Sequence, residues 1–533
     1  MMKKTIKKLL AALLAVAMVC AMAIPAFAYN PGETEENLNG THGYSAFQIF
    51  KGVISKDNPT LSGVDWGQNI TEPDIFLANL KNDPTIGEKF ETAATAQEVL
   101  AVISQWSNSD DNSIAFARFV CSYLYPDANA NPKPVYTDHT GGFNIQEPGY
   151  YLIVDTTYFN PGDFYHAYNS FFLLNVPQAP YVVLVNHKVV KPYVEKEVYD
   201  NQDGTNEAGF GSSADHAINE EFQFKLTATL PASPDRAYDY YKEYAVLFND
   251  TLSNGITYDR LDSVVIKSNG IPYDITNDSS MYEVDDSRLE SDHYFVVGIP
   301  DVKACGAGLN LNDGATITVT YTAHLNDNAA VNSTSGSTDN KNKVQLQYSN
   351  NPRNSAYWGF TPESEVRVYT YQLNNTKYRD DDTTGNELAG AGFRLYSDKD
   401  CTEEQEIKLK KNTTDGTYSP YFGADAGDEM FSDEHGQFNV KGLDAGTYYL
   451  KETTPPTGYS ACANKEIVIS ATHDVNHVDL SGNLSTTIIN KKDGGITLPS
   501  TGGIGTTLFY VVGGGLMVAA IVLLVTKKRM ENK

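Results

Sequence analysis

Lys377 closes the segment Leu373-Asn-Asn-Thr-Lys377, Glu452 lies in Tyr448-Tyr-Leu-Lys-Glu452, and Asn490 ends Thr487-Ile-Ile-Asn490. Earlier in the chain, Lys196 follows Lys191-Pro-Tyr-Val-Glu, Asp250 follows Phe248-Asn, and Asn342 heads Asn342-Lys-Val-Gln-Leu-Gln-Tyr348. Each group offers an amine, a carboxyl and a side-chain amide in apolar-rich sequence. A lysine amine is protonated in water and is then no nucleophile, but burial among apolar side chains lowers its pKa. Burial moves a carboxyl the other way, which makes it a proton donor and carrier. Held together in a core, the three groups could condense to a Lys–Asn amide with loss of ammonia, alignment supplying the effective concentration. Left at the surface, the same residues are an ion pair and a turn.

A second kind of chemistry is written at the C-terminal end. Leu498-Pro499-Ser500-Thr501-Gly502 precedes a mostly apolar stretch, 504–525, and then Lys527-Lys528-Arg529. About 20 apolar residues suffice to span a bilayer, and flanking basic residues stay cytoplasmic. The arrangement resembles the sorting signal of sortase substrates. That resemblance implies that a sortase cysteine attacks the Thr501 carbonyl and passes the acyl group to an amine, splitting one transfer into two easier steps. Leu498, Pro499, Thr501 and Gly502 are the cleavage and anchoring residues it implies.

The N-terminal end reads as a secretory signal peptide over 1–28. Lys3, Lys4, Lys7 and Lys8 precede an apolar run, 9–24, and Ala26-Phe27-Ala28 places small residues at a cleavage site. The formal net charge of −27 argues against nucleic acid as a partner and favours solubility. After the signal peptide, Cys121, Cys305, Cys401 and Cys462 are sparse and lack CxxC pairs, so neither a disulfide framework nor a zinc site is expected. Cys401 and Cys462 share a domain and could pair. No cofactor and no metal is expected; acidic turns such as Asp380-Asp-Asp382 read as solvated loops.

The elements that must position these groups are mainly strands. Alternating segments such as Phe222-Gln-Phe-Lys-Leu-Thr-Ala-Thr-Leu230, separated by turns, predict a mainly β chain of three tandem Ig-like (Cna-type) β-sandwich domains. The exception is 84–124, which reads as helical and decorates the first domain. Pro148-Gly-Tyr-Tyr-Leu-Ile-Val-Asp155 weakly repeats as Ala445-Gly-Thr-Tyr-Tyr-Leu-Lys-Glu452. The boundaries expected are 29–188, 189–366 and 367–492, with the sorting signal, span and basic tail in 493–533.

Over 367–492 the lysine, the Tyr-x-Leu-x-Glu stretch with Pro-x-Gly-Tyr beyond it, and the final asparagine resemble the Cna-B-type domains of Gram-positive pilins and adhesins. The resemblance implies a Lys377–Asn490 isopeptide bond with Glu452 as proton carrier. Residues 190–366 resemble the fimbrial isopeptide-forming domains of backbone pilins, which implies Lys196 as amine, Asp250 as acid and Asn342 as amide. Asn342, Val344, Leu346 and Tyr348 share a strand face, and Asn350 has the same parity. In the first domain Lys51 and Asn186 could pair, with Asp155 or Glu147 as the acid, but no bond is expected there. Val183-Leu-Val-Asn-His-Lys188 keeps the spacing of the pilin motif, which implies Lys188, or nearby Lys191, as the nucleophile that pilus sortases join to the next subunit.

The resemblance therefore implies the structural subunit of a sortase-assembled covalent pilus, and not an enzyme. Its implied partners are a class C pilus sortase, a housekeeping sortase, identical subunits and peptidoglycan, with a host-surface ligand left open. A monomeric wall-anchored adhesin or minor tip pilin is the alternative.

Overall fold

Alternation decides where the polar residues of this chain end up. In the computed structural model, described over 43–530 apart from 56–57, 108–109, 126–132, 139–141, 157–170, 177–178, 180, 185–190, 202–207, 235, 333–339, 354–357, 483 and 493–504, strands dominate. The strand Glu221–Leu230 buries every second side chain, as its sequence predicts.

The middle domain is a sandwich of two sheets. One has the order Ile271–Asp274, Ile256–Ser268, Ala315–Leu325, Glu221–Leu230, Tyr193–Asp200, Gly209–Gly211. The facing sheet runs Ser213–Asp215, Ser364–Tyr369, Lys341–Ser349, Val246–Leu252, Tyr294–Ile299, Glu283–Asp285. Phe224, Leu226, Val319 and Tyr321 of the first sheet and Phe248, Val297, Val344 and Leu346 of the second fill the space between. The strand Ser364–Tyr369 pairs within this domain up to Tyr369, so the boundary expected after residue 366 falls inside a strand.

The third domain repeats the two-layer plan. Tyr371–Arg379 lies between Val440–Leu443 and Ser485–Asn490 in one sheet. The other is built on Gly392–Tyr396, Gly446–Thr454 and Lys465–His473. Tyr371–Arg379 and Ser485–Asn490, the domain's first and last strands, are parallel neighbours.

The first domain departs from the expected Ig-like sandwich. Its main sheet, Asn58–Trp66, Tyr44–Ser55, Gly149–Asp155, Phe171–Val176, is covered on one face by helices Pro73–Lys81, Ala96–Ile103 and Asp111–Leu124. The other face packs against the ribbon formed by Gly142–Ile145 and Tyr181–Leu184. The strand Gly149–Asp155 is buried at all its positions, which one covered face could not produce. The helices are thus a structural layer rather than decoration. Thr95 caps Ala96–Ile103 by accepting from the Glu98 amide, and Asp110 caps Asp111–Leu124 from Asn112.

A helix spans Gly505–Met530. The side chains of 505–512 lie outside the described set, and among the described residues no helix is long and apolar enough to cross a membrane. The signal peptide region also lies outside the described residues.

Candidate functional site

Two clusters of an amine, a carboxyl and an amide are buried in the cores of the middle and third domains. In the middle domain, Tyr193–Asp200 turns Lys196, Val198 and Asp200 to the inside. Val246–Leu252 does the same with Val246, Phe248, Asp250 and Leu252, and Lys341–Ser349 with Asn342, Val344, Leu346 and Tyr348. A polar residue on each strand thus occupies an apolar parity and is carried into the core. Lys196 is 3 % exposed, and Asp250 and Asn342 are 0 %.

Lys196 and Asn342 come from opposite sheets, and Asp250 lies on the strand beside Asn342. The Lys196 ammonium donates to Asp250 in a fully buried ion pair. Its Nζ also donates to the Tyr321 hydroxyl at 3.1 Å. Asn342 Nδ2 donates to the same hydroxyl at 2.5 Å, and Tyr321 donates to Asp250 Oδ1 at 3.3 Å. Tyr321 therefore touches the amine, the carboxyl and the amide. The Asn342 carbonyl oxygen is buried with no hydrogen-bond partner. Phe224 and Tyr321 place their rings 5.2 and 5.4 Å from the amine.

Burial controls the ionisation here. It pushes the Lys196 amine down to about 8, against the opposing pull of Asp250. It pushes the Asp250 carboxyl up, against the opposing effect of Lys196. Tyr321 is raised well above its ordinary value, first by burial and then by Asp250. A depressed amine beside a raised carboxyl is the pairing that amide formation needs.

The third domain reaches the same set by another route. Lys377 shares its inward face with Tyr371, Leu373 and Asn375, and Asn490 shares its own with Thr486 and Ile488. Lys377 registers with Ile488 on the neighbouring parallel strand, one same-face step short of Asn490. The Lys377 Nζ donates to Asn490 Oδ1 at 2.5 Å. Glu452 reaches in from the opposing sheet, its Oε1 accepting from Asn490 Nδ2 at 2.7 Å and lying 3.8 Å from Lys377 Nζ. The Cys462 amide holds the other carboxylate oxygen at 2.7 Å. Burial lowers the Lys377 pKa, with Glu452 acting against it. Here the amine meets the amide carbonyl, while the carboxylate holds the amide nitrogen.

Asn350 lies beyond the end of the Lys341–Ser349 strand, whereas Asn342 is in the core beside Tyr321. Lys51 is on the surface, its side chain 54 % exposed and 3.7 Å from Asp65, so it is not a core amine. Glu147 accepts from Gln68 in an exposed contact, while Asp155 is buried. Cys121, Cys305, Cys401 and Cys462 are all free, so Cys401 and Cys462 are not paired. Lys188, Asn186 and the residues Leu498, Pro499, Thr501 and Gly502 lie outside the described residues. Lys191 is exposed and immediately precedes the buried Pro192. Tyr321 was not among the residues expected from sequence. Its one signal is that it shares the buried parity of Ile317, Val319 and Ala323, where a phenol needs a polar partner.

Residues 374–483 match the family model of a prealbumin-like fold domain, and residues 490–532 match the LPXTG cell wall anchor motif. No curated protein matches the chain. Among solved structures, the chain is similar to the T6 backbone pilin of serotype M6 Streptococcus pyogenes, described as a modular three-domain structure. The two share 16 % identity over 86 % of this chain and 97 % of that one, with a TM-score of 0.48. The group B streptococcus pilus 2b backbone protein is 22 % identical over 57 % of this chain and 99 % of its own, with a TM-score of 0.39. The major pilin SpaD from Corynebacterium diphtheriae is 20 % identical over 70 % of this chain and 84 % of its own, with a TM-score of 0.40.

Proposed function

We propose that the chain is the repeating subunit of a sortase-assembled pilus on a Gram-positive cell wall, with a Lys–Asn isopeptide bond inside each of its last two domains. The observation that carries the reading is the pair of buried clusters, which two unrelated strand arrangements bring together, in a chain that ends on a wall anchor motif.

The chemistry balances as a single turnover. The lysine ammonium gives one proton to the carboxylate, Asp250 or Glu452, and the freed amine attacks Cγ of Asn342 or Asn490. The carboxyl gives its proton to the departing amide nitrogen and takes up the second proton of the lysine nitrogen as the amide forms. One C–N bond forms, one breaks, and ammonia leaves. In the middle domain Tyr321 orients the amine and the amide nitrogen together, which keeps the reactants in attack range.

The placement suits a load-bearing rod. Force entering the third domain along Tyr371–Arg379 would pass through Lys377 to Asn490 and out toward Thr501, leaving the rest of the domain unloaded. In the middle domain the staple would join the two sheets, and the stretch beyond Asn342 is held by the pairing of Ser364–Tyr369 with Lys341–Ser349.

Anchoring and polymerisation complete the reading. The 26-residue helix Gly505–Met530 would hold the precursor in the membrane, since about 20 apolar residues span it. Thr501 would then be transferred to Lys188 of the next subunit, or to peptidoglycan at the base. In cells with the pilus sortase, wall extracts boiled in detergent should show a ladder of high-mass species. Lys188→Arg should collapse it to monomer, because guanidinium stays protonated. A ladder lost with Lys191→Arg instead moves the nucleophile to Lys191. A single band from the wild type makes the chain a monomeric wall-anchored adhesin. Thr501→Ala should leave the protein off the wall, and wall attachment that survives detergent extraction in this variant refutes sortase anchoring.

A further inference from the structure

His473, the last residue of the strand Lys465–His473, reaches from the third domain to two carboxylates of the middle domain. Its Nε2 lies 3.5 Å from Asp200 Oδ2 and 3.4 Å from Asp215 Oδ1, and all three atoms are within 4.8 Å of one another. Asp215 is 0 % exposed, and its Oδ1 has no hydrogen-bond partner.

The surrounding groups hold these donors in place. Tyr371 donates to the other Asp215 oxygen at 2.8 Å, and the Asp215 amide donates to Asp200 Oδ1 at 3.2 Å. Ser213 Oγ lies 2.9 Å from His473 Nδ1, so an Nδ1–H donated to it leaves the Nε2 lone pair aimed at the carboxylates.

We propose that Asp200, Asp215 and His473 form a binding site for one zinc-type divalent cation that fastens the third domain to the middle one. Tetrahedral ligands with bonds of about 2.0–2.2 Å stand about 3.3–3.5 Å apart, which is the spacing His473 keeps to both carboxylates. An imidazole nitrogen with two carboxylates suits zinc, whereas calcium and magnesium prefer sets made of oxygen alone. Two carboxylates converging in a buried place repel each other, and a dication removes that repulsion. The hydrogen bonds from Tyr371, from the Asp215 amide and to Ser213 are the outer contacts that orient metal ligands. The sequence does not suggest the site, because His473 is far in the chain from Asp200 and Asp215 and belongs to another domain.

The test is calorimetric titration of the chelator-stripped mature chain, 29–501, with zinc chloride, alongside its melting temperature with and without the metal. One zinc per chain and a raised melting temperature are expected. Asp215→Asn and His473→Gln should each weaken uptake at least about 100-fold, and Ser213→Ala, which leaves the ligands in place, about 10-fold. His324→Gln, at an exposed pair with Asp259, should leave the titration unchanged. Wild-type protein that takes up no stoichiometric zinc overturns the proposal without recourse to any variant. Uptake unaffected by folded Asp215→Asn and His473→Gln overturns it too. So does a melting temperature that ignores zinc and falls as pH rises through the imidazole range, since a protonated His473 would then bridge the carboxylates.

Discussion

Lys377 Nζ lies 2.5 Å from Asn490 Oδ1 although 113 residues separate the two in sequence. Parallel pairing of the domain's first and last strands creates this contact, and the register Lys377 with Ile488 sets it one same-face step from Asn490. In the middle domain the corresponding residues face each other across the sandwich, with Tyr321 between them. Two topologies thus deliver one set of functional groups, which makes chance burial of a lysine in each core a poor explanation. A buried ammonium costs several kcal/mol unless something compensates it.

Glu452→Gln keeps the shape of the side chain but removes the proton carrier. The third-domain bond should fail to form, and the protein should retain one ammonia relative to wild type. Loss of a tie closing a loop of this length should cost about 4–5 kcal/mol on the chain-entropy argument developed for disulfides. Differential scanning calorimetry should show the third domain melting earlier. An unchanged melting profile would remove the bond from the domain's stability.

Tyr321→Phe deletes only the hydroxyl that bridges Lys196, Asp250 and Asn342. The middle domain should still fold, since the ring stays packed against Phe224 and Phe295. Bond formation should slow by about tenfold, the worth of one positioning hydrogen bond. Mass spectra taken at intervals after refolding would follow it. Crosslinking at the wild-type rate would show that the hydroxyl fills space only.

The folded Lys196 pKa of about 8 carries a pH signature that appears once the amide is removed. In Asn342→Ala the amine stays free. Between about 8 and its unfolded value of about 10.4 the unfolded chain holds more protons than the folded one, so stability rises with pH over that window. The gain should reach up to about 3 kcal/mol. Urea unfolding at several pH values should show the slope, and Lys196→Met in the same background should abolish it. Equal slopes in the two proteins would place the titration elsewhere.

Gly442 has φ +84°, and a Cβ built there would lie 2.4 Å from the Ile218 side chain of the middle domain. The Ile218 amide donates to the Gly442 carbonyl at 2.9 Å, so the two domains meet backbone to backbone. Gly442→Ala should destabilise the docked pair by more than about 1 kcal/mol, because both the left-handed backbone and the close approach reject a side chain. Separate melting of the middle and third domains would report it. A single transition at the wild-type temperature would refute the tight docking.

The resemblance to isopeptide-forming domains implied the three residues of each cluster, and strand parity, which is local, accounts for their facing inward. Lys196 with Val198, Asn342 with Val344 and Leu346, and Glu452 with Leu450 each stand in an inward series that the sequence displays. Tyr321 was hidden, since a tyrosine among Ile317, Val319 and Ala323 looks like ordinary core and only the pairing with Phe224 shows what its hydroxyl meets. Of the helical layer of the first domain, the sequence reads only 84–124 as helical and takes it as decoration, whereas the layer also includes Pro73–Lys81. Nothing local says that both faces of the Gly149–Asp155 strand need cover. Asp200, Asp215 and His473 form no sequence pattern, because domain docking, which nothing short-range encodes, brings them together.

The most direct measurement is the intact mass of the folded secreted chain, 29–492, purified without proteolysis. Two Lys–Asn bonds predict a mass two ammonia molecules below that of the sequence. Peptide mapping should find Lys196 joined to Asn342 and Lys377 joined to Asn490. A mass equal to the sequence value, with all four residues recovered in linear peptides, would contradict the account.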